Sequence, residues 1–81
     1  MDLDALLHHY FGTDTPAEAS PRTQALGLEQ LALDFGVETQ PGRKFALWVL
    51  LETLGHGPDP AGFLPDYPDL AAAAENWRRM A

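Results

Sequence analysis

Three histidines, one serine and a short cationic turn are the residues of this chain whose types could do chemistry. His8 and His9 are neighbours, and on a helix neighbours stand about 100° apart, so the two imidazoles cannot converge on one ion. Asp4 and His8, at i and i+4, face the same way and could share a metal. Two ligands without a third, however, read as an exposed local pair rather than a metal site. His56 lies between Gly55 and Gly57 with no partner at a recognisable spacing. Ser20 is the only serine and stands before Pro21, the place of a helix cap rather than of a nucleophile. The pattern points to no catalytic residue, no metal site and no bound cofactor.

The cationic turn is PGRK, Pro41 to Lys44. It opens a helix with two bases, where the helix dipole disfavours cations by a few tenths of a kcal/mol each. The free N–H groups of that turn, with Gly42, Arg43 and Lys44, form a candidate anion site for a phosphate or a partner's carboxylate. The competing expectation is that Glu38 or Asp34 neutralises the two bases, or that both face solvent.

These residues belong to a short chain. Its 81 residues leave room for one domain, 1–81, with one core. A chain of this size buries only about 60–65% of the surface its unfolded form exposes. There are no cysteines, so no disulfide or thiolate site holds it. The formal charge is −7, which repels phosphate backbones and argues against nucleic acid as a partner. An acidic start, MDLDALLHHY, lacks the positive region of a signal peptide and leads to a cytoplasmic expectation. The most apolar run, Phe45 to Leu51, is far shorter than the roughly 20 residues a bilayer requires, so no membrane association is expected.

Glycine and proline divide the chain into helices. Asp2 is placed to cap a first helix whose Leu3, Leu6, Leu7, Tyr10 and Phe11 share one face, with Gly12 as its stop. Thr15-Pro16-Ala17-Glu18 has the form of a capping box and predicts one short turn. Ser20-Pro21 opens a second helix to about Phe35, with Gly36 as its stop and Val37 making a hydrophobic contact beyond it. A third helix covers about 41–54, its apolar residues pointing in every direction and Phe45, Trp48 and Leu51 largely buried. The Pro-rich loop at 56–68 holds a turn at Asp59-Pro60, with Phe63, Leu64 and Tyr67 laid on the core. A last helix runs from Pro68 or Asp69 to Met80, with Leu70, Ala73, Ala74, Trp77 and Met80 inward. The expected fold is all-α: a compact bundle of four short helices around the central third helix.

In QALGLEQLALDF, Leu28, Leu31, Ala32 and Phe35 form one inward stripe. Leu26 and Leu33 lie on nearly the opposite side, seven residues apart and aligned. Gly27, mid-helix, costs about 1 kcal/mol relative to Ala and marks close approach of another backbone. Either a flanking segment such as TDTPAEA or GFLPDY covers the second ridge, or Leu26, Gly27 and Leu33 are an interaction surface.

The first functional expectation is thus a small acidic protein-interaction or adaptor module, not an enzyme, whose partner is another protein or, weakly, a second copy. The alternative is a carrier-type domain. The chain resembles acyl carrier proteins in size and charge only, because Ser20 stands between Ala19 and Pro21 and the family's Asp-Ser-Leu motif is absent.

Overall fold

Proline begins every regular element of this chain after the first. The computed structural model describes residues 3–80. It holds α1 (Leu3–Phe11), a 3-10 turn at Pro16–Glu18, α2 (Pro21–Val37), α3 (Pro41–Thr53), a second 3-10 turn at Pro60–Phe63 and α4 (Pro68–Met80). The chain is all-α with four α-helices, and no strand occurs among the described residues. No helix among them is long and apolar enough to cross a membrane. Contacts divide the chain into two compact units, Met1–Val37 and Glu38–Ala81.

In the first unit α1 ends where Gly12, at φ 72°, donates its N–H to the His8 carbonyl at 2.9 Å. The Asp2 cap lies outside the described residues. The Thr15 hydroxyl reaches the Glu18 carboxylate at 3.0 Å, so the capping-box pair closes side chain to side chain over a 3-10 turn. Ser20 caps α2 by accepting from the Thr23 N–H at 3.2 Å. Leu6, Tyr10, Phe11 and Leu31 are buried where α1 lies on α2. The two helices meet at Gly27: a Cβ there would stand 2.5 Å from the Phe11 ring and 2.7 Å from the Tyr10 carbonyl oxygen. Beyond it, the Tyr10 hydroxyl donates to Asp34 at 2.7 Å.

Two expectations for α2 need correction. Gly36 is not its stop, because the helix continues through Val37 and Gly36 has no positive φ. The helix ends instead in the approach to Pro41, where the residue before a proline is driven out of the α region and Gln40 is extended at ψ 118°. Val37 therefore makes no closing contact and is 77% exposed. Ala32 is exposed as well, so the inward face is Gln24, Leu28, Leu31 and Phe35 around Gly27.

The second unit is organised by α3. Leu47, Trp48, Val49, Leu50 and Leu51 are all buried, which on a helix covers every direction. Phe45 is half-buried rather than enclosed, stacked on Trp48 at 5.9 Å between centroids. A left-handed Gly55, at φ 85°, ends the helix, and the His56 N–H returns to the Leu51 carbonyl at 2.9 Å. Asp59 then caps the Pro60 turn by accepting from the Ala61 N–H at 2.9 Å. That turn sends Phe63 into the core, while Leu64, expected beside it, is exposed.

The largest correction concerns α4. Ala74 is fully buried and Leu70 and Ala71 are half-buried, but Ala73 is exposed, as are Trp77 (41%) and Met80 (78%). The helix is turned by most of a quarter-turn from the expected face. Arg78, exposed at the rim, lies against Trp48 and Glu52 on the side where Trp77 was expected.

The close approach at Gly27 is open to test. Ala gains about 1 kcal/mol of helix propensity over Gly, whereas forcing a methyl into a packed contact loses about 1–3 kcal/mol. Gly27→Ala is expected to lower the denaturant midpoint of the chain; a raised midpoint would contradict the α1–α2 contact.

Candidate functional site

The expected anion turn is already furnished by its own neighbours. Gln40, extended before Pro41, turns its side-chain oxygen onto the Arg43 N–H, filling one of the donors that a helix start leaves free. The Arg43 guanidinium meets the Glu38 carboxylate at 2.8 Å. Lys44 takes a different route. It is only 8% exposed, its ammonium donating to the Glu38 carbonyl at 3.3 Å and lying 5.5 Å from the centre of the Tyr67 ring. The Tyr67 hydroxyl in turn donates to the Thr39 carbonyl at 3.1 Å, which ties the start of α4 to the start of α3. Asp34, on α2, accepts from Tyr10 and, at 2.8 Å, from Gln30. An incoming anion therefore has to displace the Glu38 carboxylate from Arg43.

The second polar cluster was not anticipated, because it depends on the rotation of α4. Arg78 donates to both oxygens of Glu52, at 2.6 and 3.1 Å, and to the Gly57 and Pro58 carbonyls at 2.9 and 3.2 Å. Its guanidinium also lies 5.6 Å from the centre of the Trp48 ring. The hydrogen bonds it donates to Glu52 hold the Arg78 guanidinium above its ordinary pKa, so it is a fixed cation at every physiological pH. Beside it, Asp59, Pro60, Glu75, Arg78 and Arg79 line an open depression of about 510 Å³. Its two acids and two bases balance, and Arg78 is committed to the fold.

The residues named for metal or nucleophilic work stand apart. His8 and His9 are exposed on α1, and His56 is exposed after Gly55. Among the described residues no three His, Asp or Glu side chains are grouped so as to hold a metal ion. The Ser20 hydroxyl is held by Thr23 at 2.9 Å.

The candidate interaction residues separate into two roles. Gly27 is inside, against Phe11, and contributes packing. Leu26 and Leu33 are outside, 55% and 58% exposed, and TDTPAEA does not cover them. Val37 joins them: the three side chains fall within about 40° of one another around α2 and span about 16 Å along it. No family model, curated protein or solved structure matches the chain.

If Glu38 is the intrinsic occupant of the Arg43 site, phosphate has to compete with it. A phosphate titration should shift the Gly42 to Phe45 amides only weakly, and Glu38→Gln should make the same shifts appear at lower phosphate. Identical titrations for both proteins would contradict this competition.

Proposed function

We propose that this chain is a small, acidic, helical protein-interaction or adaptor module of the cytoplasm, without catalytic activity. The observation that carries the reading is the uncovered stripe Leu26–Leu33–Val37 on α2. Single exposed leucines are ordinary on any surface, but three large apolar side chains aligned over three turns form a ridge of the kind that packs on another helix. Burial of that ridge contributes about 25 cal/mol per Å² of apolar surface, from which the cost of association is subtracted. The binding supported in this way is reversible and weak to moderate in strength.

The α4 surface supports the same reading by a separate route. Trp77 and Met80 present apolar area to solvent on the second unit, and tryptophan is the side chain most enriched among residues that carry interface energy. Each unit thus offers one apolar helix face, which suits an adaptor.

A photo-reactive phenylalanine analogue placed at Leu33 or at Ala32 tests this in the native host. Both sites are exposed, but Ala32 lies well around α2 from the stripe. Leu33 is expected to cross-link to one discrete protein species and Ala32 to give little. Equal yields from the two positions, or none from either, would remove the docking surface.

A further inference from the structure

Charge around the α2 stripe distinguishes between its possible occupants. Residues 1–37 contain six acids, Asp2, Asp4, Asp14, Glu18, Glu29 and Asp34, against one base, Arg22. Residues 38–81 also contain six acids, but these are offset by four bases, Arg43, Lys44, Arg78 and Arg79. Most of the negative excess therefore belongs to the unit that bears the stripe. Glu29 is exposed between the levels of Leu26 and Leu33, about 60° around the helix from Leu26.

A second copy fits this surface poorly. Antiparallel pairing that sets Leu26 against Leu33 of the other copy places the two-fold axis between residues 29 and 30. Parallel pairing sets each residue at the level of its own equivalent. The antiparallel arrangement brings the two Glu29 carboxylates together on one side of the seam, and either arrangement lies within the like-charged fields of two acidic units. A helix with bases along its polar flank meets the opposite situation, since its apolar side chains cover the ridge while its cations face Glu29.

Resting on the reading of the chain as an interaction module, we infer that the α2 face docks a cationic amphipathic helix of another protein. Leu26, Leu33 and Val37 receive its apolar side. Glu29 faces its lysines or arginines, and Arg22, one turn before Leu26, disfavours registers that carry a base past that end.

Two synthetic peptides of about 18 residues, long enough to form a helix on binding, test this when titrated into the whole chain. They share one leucine face, and their polar faces carry lysine in one and glutamate in the other. Calorimetry should show the lysine peptide binding and the glutamate peptide not, with amide shifts concentrated around Leu26, Leu33 and Val37. Raising salt from about 50 to about 500 mM should weaken binding by roughly tenfold or more. Leu26→Asp with Leu33→Asp separates docking from plain charge attraction. The two added carboxylates would strengthen purely electrostatic adhesion, whereas docking on the stripe predicts a loss of about tenfold or more. Circular dichroism checks that this variant remains folded, and Leu26→Ser with Leu33→Ser replaces it if it does not. Lysine-peptide binding that survives both variants overturns the proposal, as does binding with shifts away from α2. A glutamate peptide or a second copy preferred at the stripe overturns the cationic partner but leaves the docking surface standing. The docking surface itself falls separately, with the Leu33 cross-link.

Discussion

The enclosure of Trp48 is the constraint on which the second half of this molecule depends. Its indole is fully buried, so its N–H must be satisfied internally, and the Pro58 carbonyl accepts it at 2.9 Å. That single bond fixes the path of the chain after Gly55, because the loop must bring Pro58 back over the indole edge. Phe63 then closes the core beside the ring at 6.2 Å between centroids. Arg78 supplies the remaining cover. Its long apolar stem suits it to lie on an aromatic surface while its guanidinium serves polar groups at the rim. Glu52 and the Gly57 and Pro58 carbonyls are those groups, and no tryptophan at the same place could donate to all of them.

This explains both what was legible in the sequence and what was not. Helix boundaries were readable wherever local chemistry decides them. Gly12 and Gly55 end their helices at positive φ, and Ser20, Asp59 and the prolines that follow them open elements at the expected places. Gly36 misled because a glycine permits a stop without imposing one, and the proline five residues on decides the matter. The place of α3 in the core of the second unit was visible in its lack of a polar side. The orientation of α4 was not, since apolar spacing alone favours Trp77 over Arg78. What reverses the preference is a carboxylate near the end of α3 and two carbonyls of the loop that follows it, all distant in sequence from α4. Likewise the burial of Lys44 is not readable in PGRK, because its contact with Tyr67 is tertiary.

For the candidate sites the same division holds. The misfit at Gly27 correctly signalled two backbones in close approach, but the sequence could not say on which side of the ridge that contact falls. The structure places Gly27 with Phe11 and leaves Leu26 and Leu33 outside. Each helix face that loses to a better-satisfied alternative becomes surface. On α2 the losing face carries leucines, and on α4 it carries a tryptophan and a methionine. Apolar surface displaced in this way is available to a partner, and the partition of charge between the two units gives each face a different electrostatic setting.

One tryptophan, Trp48, lies inside the protein and the other, Trp77, outside. Acrylamide quenching of fluorescence reads this directly, and being neutral it is not repelled by the acidic chain. In Trp77→Phe, the remaining emission from Trp48 should be blue-shifted and resist quenching. The wild-type chain should show that protected component together with a second, readily quenched one. Red-shifted and fully quenched emission from Trp48 in Trp77→Phe, or a wild-type chain in which both indoles are equally protected, would contradict the account.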